Sequence, residues 1–468
     1  NNTTASNNTA VGRSALNANT TGASNVAVGT SALAANTTAS SNTAVGKEAM
    51  LSTTTGDSNT GIGKDSLRAN TTADDNTAVG HSSLKANTTG ALNTAVGKSA
   101  LAANTTGANN TAVGVRALED NTTASGNTAV GYVSLPNNTT GANNTALGYI
   151  TLGDNTTGAD NTAIGYNALA ANTTASNNTA VGRACLDANT TGAGNTNIAI
   201  GTDAMTTNVA ADRNVAVGEQ ALQNMTAASS TDTYNVGVGY NAGLLITSGT
   251  TNVLVGGLSG DAITSGSANT ALGHNSLGSN TTASDNTAIG RKALFTNSTG
   301  TQNTAVGKDA LAANTTSDYN VAIGAETLDA NTTGVRNTGL GTFALSDNVT
   351  GGYNVAVGYA ALNQNTSNYN TAIGYEALLR NVGAAQNTAV GYRALDHNTT
   401  GDNLASLGYN SLTANTTGTN NTAIGSKAME DNTTGGNNTS LGYESFADNS
   451  TGSSNTAVGM RALKSNTT

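Results

Sequence analysis

Apolar residues stand alone in this chain, and they return on a fixed count. In "NTAVGKSALAANTTGAN" (Asn93–Asn109), Val96 and Leu101 sit among Asn, Thr and small residues, and the next 17 residues, "NTAVGVRALEDNTTASG", repeat the pattern. Aligned on the glycine of "NTAVG", 27 copies run from Gly12 to Gly459, nearly all 17 residues apart. Fixed-period self-similarity is the mark of a solenoid or array. The consensus is N-T-A-V-G-x-x-A-L-x-x-N-T-T-G-x-x, numbered here as positions 1 to 17. Position 4 is always Val, Ile or Leu, and position 9 is Leu, Met or Phe in 25 of the 27 copies.

The T-A-V triplet predicts a short strand. Thr and Val are β-branched, and alternate side chains along a strand share a face. Positions 2 and 4 are therefore expected to point inward, with the small position 3 outward. The predicted core is Val11, Leu16, Val96, Leu101, Val306 and Leu311. A helix is excluded by the glycine at position 5 and by the poor helix propensity of the Asn-Thr-Thr run. The pattern predicts an all-β fold, a parallel β-solenoid (β-roll or β-helix) of about 27 coils. Stacked at a strand spacing of ~4.8 Å, the coils would run to roughly 130 Å.

Stacking gives the asparagines a purpose. Asn fills position 1 in every copy but one, as in Asn93, Asn110 and Asn127, and identical amides one coil apart can form a hydrogen-bonded ladder. Variation and most charges collect at positions 6, 7, 10, 11, 16 and 17, which should face solvent. Each coil carries a thin apolar stripe that only stacking can extend. Three chains wound together would bury more of it, so the fold class includes a trimeric assembly.

The period breaks between Gly182 and Gly201, Gly218 and Gly239, and Gly358 and Gly374. Ile246 and Ile263 stand where Asn is expected, and Leu has left position 9 in those two copies. One continuous solenoid is read with a regular array over 1–194, divergent coils with insertions over 195–268, and a regular array over 269–468. The insertion around Thr226–Tyr234 is expected to form an exposed loop.

Composition narrows the function. A net charge of −10 is spread thinly, and no basic patch suits nucleic acid. No apolar run approaches a membrane helix, so no membrane insertion is expected. Cys185 is the only cysteine, which excludes an internal disulfide and reads as a small core filler. His81, His274 and His397 are scattered over distant coils, and no acids or bases cluster on one level. No catalytic, cofactor-binding or metal-binding residue is expected, and no cofactor is implied. "Asn-Thr-Thr" at position 12 reads formally as a glycan acceptor, though an asparagine ladder beside threonine explains its regularity better. Tyr359, Tyr375, Tyr392 and Tyr409 at position 6 should stack into an aromatic surface ladder that stabilises the coils or offers a stripe to sugars.

"NTAVG", "NVAVG" and "NIAIG" resemble the "NSVAIG"-type strand of trimeric autotransporter adhesin heads, and "NTAIGYNALAANTTASN" (Asn161–Asn177) resembles repeat arrays of phage tail fibres and large bacterial surface proteins. The resemblance spans the whole chain. It implies trimeric β-rolls on a virion or microbial surface, with a cell-surface glycan or receptor as partner. The expected function is a non-enzymatic structural fibre, extracellular or on a virion. It would be an adhesin, tail fibre or filament that assembles with itself as a trimer or end to end. The chain opens and closes in mid-phrase and is expected to be a window cut from a longer or processed protein. The rival reading is an ice-binding solenoid using the threonine columns at positions 13 and 14, such as Thr105 and Thr106.

Overall fold

A computed structural model describes residues 4–190, 195–226 and 231–467. Every strand is short, and no residue among those described is helical. The chain forms two compact units, residues 1–234 and 235–468. Three-residue strands, one per coil, number 13 in the first unit and 14 in the second. Each unit is a parallel β-solenoid with a 17-residue period, and these strands number 27 in all. Within each unit the strands pair parallel with the coil above, residue on equivalent residue. Thr304 lies against Val321, Ala305 against Ala322 and Val306 against Ile323.

Hydrogen bonds between coils extend well beyond the strands. Leu101 N–H donates to Ala117 O at 3.0 Å, and Thr105 N–H to Thr122 O at 2.8 Å. Nearly the whole outline of a coil is thus bonded to the next. This is how turns rich in Asn and Gly satisfy backbone groups that a lone coil would leave open.

The strand faces the opposite way from the sequence expectation. Ala305 is fully buried, whereas Thr304 and Val306 lie partly exposed, and the same pattern runs through the regular coils. Val96 and Val306 are on the outer face, and Val11 in the first coil is 57% exposed. Leu101 and Leu311 are fully buried, and Leu16 is half-buried at the open first coil. The reason is space. Opposite position 3 stand position 8, usually Ala or Ser, and the large side chain of position 9, so a slot this narrow admits a methyl group but not an isopropyl group. A three-residue strand alternates either way, and hydrophobicity alone favoured the wrong face.

Exceptions confirm a core matched in volume. Where Thr327 replaces Ala at position 8, the next coil has Gly339 at position 3, and a Cβ there would lie 2.6 Å from the Thr327 methyl. In the divergent coils the exchange is larger. Leu254 occupies position 3, and Gly260 at position 9 makes room, because a Cβ would meet Leu254 Cδ2 at 2.8 Å. Ile246 and Ile263 are fully buried in place of the inward Asn of position 12. Leu and Gly have traded positions, and an apolar residue replaces the amide on both sides of the missing hydrogen bond, a swap that need cost little.

Leucine at position 9 carries a left-handed backbone, φ 51° at both Leu101 and Leu311. That conformation costs about 1–2 kcal/mol, and full burial of the side chain returns about 1.5–3 kcal/mol. The glycine of position 5 has no substitute. Gly307 has φ +144°, and a Cβ on it would lie 2.2 Å from the Gly324 carbonyl oxygen.

The irregular spacings are absorbed locally. The coil between Gly358 and Gly374 is one residue short, yet Val355 still pairs with Thr371, because the turn after Asn365 tightens and Asn365 Nδ2 reaches Ser367 O at 2.7 Å. Of the insertion expected to form an exposed loop, residues 227–230 lie outside the described residues. Its return arm is not a free loop, since Thr231–Asp232 pairs parallel with Ala211–Asp212.

Candidate functional site

Both asparagine columns are interior. Along position 1, Asn110 N–H donates to Asn93 Oδ1 and Asn127 N–H to Asn110 Oδ1, each at 2.9 Å. This column is carried by backbone donors rather than by the amide-to-amide rungs expected of it. Direct amide-to-amide rungs dominate position 12, where Asn104 Nδ2 donates to Asn87 Oδ1 at 2.8 Å. The two columns meet on one acceptor, because Asn93 Nδ2 and Asn104 Nδ2 both reach Gly107 O at 2.9 Å. Asn104 is fully buried with both amide protons committed, so the folded chain has no acceptor for a glycan there. These asparagines are the structural frame of the coil.

Threonine at position 13 is likewise committed, since Thr105 Oγ1 donates to Thr122 O at 3.0 Å. Only position 14, such as Thr106, stands exposed. Cys185 is buried, and its thiol donates to Gly182 O at 3.3 Å. Burial, reinforced by the Asp187 and Asp203 carboxylates, pushes its pKa up to about 12, which leaves no thiolate for nucleophilic chemistry near neutrality. Among the described residues, no group of three or more His, Cys, Asp or Glu side chains could hold a metal ion, and no helix is long and apolar enough to cross a membrane.

Tyr359, Tyr375, Tyr392 and Tyr409 stack in sequence, with ring centroids 5.3, 5.3 and 5.2 Å apart and planes within 13° of parallel. Tyr132, Tyr149 and Tyr166 form a second stack. The rings cover one another's faces and show their edges and hydroxyls to solvent. A sugar ring needs an exposed aromatic face, and only the ends of each stack offer one. A further column at position 17 escaped the sequence reading. The Arg336 guanidinium lies between the rings of Tyr319 and Tyr353, 5.2 and 5.5 Å from their centroids, and Tyr369 stacks on Tyr353. Its signal was a recurrence of large planar side chains just before position 1.

Two surfaces remain as candidates for binding. The first is the outer strand face, where every position 4 residue is partly or fully exposed, from Ile62 and Leu147 in the first unit to Leu340 and Leu441 in the second. The second is a groove of about 360 Å³ in the first unit, with Val133, Ile150 and Pro136 among its walls. The chain's only proline and the shift from bulky to small residues at position 10 were its signal in the sequence.

Fold and surfaces together define a parallel β-solenoid repeat protein, and repeated asparagine and threonine ladders fit a structural role. No protein-family model matches the chain, and no curated protein matches it significantly.

Proposed function

We propose that the chain is a non-enzymatic fibre segment on a virion or microbial cell surface, giving length, rigidity and adhesion, and that it works as a homo-oligomer. The observation that carries this reading is the outer strand face. In each unit, position 4 presents an unbroken column of Val, Ile and Leu, flanked by the Thr or Val of position 2. A contiguous apolar patch rimmed by polar residues marks an interaction surface. Copies of the chain packed side by side through this face, with three as the expected number, would cover the column along its length. The reading places the protein outside the cell or on a particle. Antibody labelling of the native source in electron microscopy tests it: label on projecting fibres is expected, and label confined to the cell interior would overturn it.

A second reading has one observation in its favour. The strand face, rather than positions 13 and 14, carries two outward columns, with threonine at position 2 in most coils. A regular two-column array is the geometry an ice-binding surface would need. Freezing hysteresis of the purified chain separates the two: none is expected of a fibre, and a clear hysteresis gap would favour ice.

A further inference from the structure

The groove in the first unit exists because position 10 loses its bulk. The column reads Glu119, Pro136, Gly153, Ala170 and Asp187 from coil to coil, and the three central residues leave a hollow. Val133 and Ile150 at position 7 line it, and both hold a left-handed backbone, φ 52° and 51°. This conformation is a genuine outlier for a β-branched residue. At one end Arg116 is tied to Glu119. Asp187 stands at the other end and Asp154 on the coil midway, and neither makes an ion pair among the described residues.

We propose that this groove binds a linear glycan of amino or neutral hexoses, lying along the coil axis. The hollow spans four coil steps from Arg116 to Asp187, about 19 Å at the strand spacing. One step of ~4.8 Å is close to the advance of one pyranose in an extended chain, so equivalent positions on successive coils meet successive sugars. The aliphatic walls suit the C–H faces of the rings, and the two carboxylates accept hydrogen bonds from hydroxyl or ammonium groups. Burial, and then the neighbouring Asp154 charge, raise the Asp187 carboxyl above its ordinary pKa, so a cationic amino sugar would relieve what the chain leaves uncompensated. An extended peptide fits less well. Its ~3.3 Å rise is out of step with the coils, and the backbone lining the groove is already bonded, as in Asp154 N–H to Ala170 O at 2.8 Å and Ala171 N–H to Asp187 O at 3.1 Å. The inference deepens the adhesive part of the proposed function, whereas the fibre itself is tested separately by molar mass.

Calorimetric titration of the intact chain with three hexamers tests it: β-1,4-linked glucosamine, cellohexaose and hexagalacturonic acid. The glucosamine hexamer is expected to bind most tightly, cellohexaose more weakly, and the uronate at least 10-fold more weakly than the glucosamine hexamer. Ala170→Phe should close the groove without harming the fold, because Phe295 at the same position already covers Gly278 in this way, its Cε2 2.9 Å from where a Gly278 Cβ would be. With an unchanged circular dichroism spectrum, this variant should lose at least 10-fold in affinity, and Asp187→Asn should lose preference for the amino sugar. No heat from the glucosamine hexamer or cellohexaose at millimolar concentration, equal binding of the uronate, or full affinity in Ala170→Phe would each overturn the proposal.

Discussion

Replacing Gly307 with alanine puts the coil geometry to a quantitative test. The added Cβ would lie 2.2 Å from Gly324 O and 2.5 Å from its carbonyl carbon, both backbone atoms that no side-chain rotation can move. Restoring ordinary contact requires the coils to part by roughly 1 Å. The bonds that tie them here are short: Gly324 N–H to Val306 O and Thr304 N–H to Asn320 O at 2.8 Å, and Glu326 N–H to Lys308 O at 2.9 Å. An extra ångström takes all three beyond hydrogen-bond range. At about 0.5–1.5 kcal/mol net each, their loss costs about 2–4 kcal/mol. The φ of +144° adds a torsional cost of about 1–3 kcal/mol for any residue with a Cβ. Gly459 supplies the control, with φ +122° and nothing within 4 Å of an added Cβ, so alanine there carries only the torsional part. Hydrogen exchange read by mass spectrometry resolves the two regions. Protection of the coils around Gly307 should fall by about 3–7 kcal/mol, at least roughly a hundred-fold, while Gly459→Ala should change its own coil by about 1–3 kcal/mol. Equal losses at the two sites would refute the tight stacking of glycine on glycine.

Other outcomes follow from the same geometry. Ala305→Asp should destabilise its coils by at least ~3 kcal/mol by burying an unpaired charge, whereas Val306→Asp on the outer face, compared at a dilution where both proteins are single chains, should leave the unfolding free energy within ~0.5 kcal/mol of the parent; a larger loss for Val306→Asp there would return position 4 to the core. Cys185 should resist iodoacetamide at pH 8.5 in the native chain and react fully in denaturant, since its thiol pKa stands at about 12; prompt native labelling would contradict its burial. The hydrogen bond from Lys464, helped by Tyr443 and Arg461, holds the Glu444 carboxyl at about 2 against an ordinary 4.5. A depressed carboxyl stabilises the fold above the higher value and loses that contribution as pH falls toward the lower one. Amide protection in the last coil, corrected for the intrinsic exchange rate at each pH, should therefore fall between about pH 4.5 and 2, and Glu444→Gln should abolish the dependence.

Much of this architecture could be read from residue order. The period, the count of coils, the burial of Leu101 and Leu311 and the interior role of Asn93, Asn110 and Asn127 all follow from stacking equivalent residues. The direction of the strand did not follow, because Thr304, Ala305 and Val306 alternate equally well either way and only the width of the slot decides. The order within the divergent middle did not follow either, because Leu254 and Gly260 are complementary volumes within one coil that only the packed core reveals. The groove was hidden for a similar reason. Val133, Ile150 and Asp187 are far apart in the chain and become neighbours only through the stack.

Molar mass in solution tests the central claim most directly. If the outer strand face is covered by further copies, static light scattering over a dilution series should give an integral multiple of 46.0 kDa, with three expected. Lysine at Val306, Ile323, Leu340 and Val357, four successive outward residues, should shift the equilibrium toward the single chain without changing the β-rich spectrum. A parent protein that remains at 46.0 kDa at every concentration, with its aliphatic column open to water, would contradict the account.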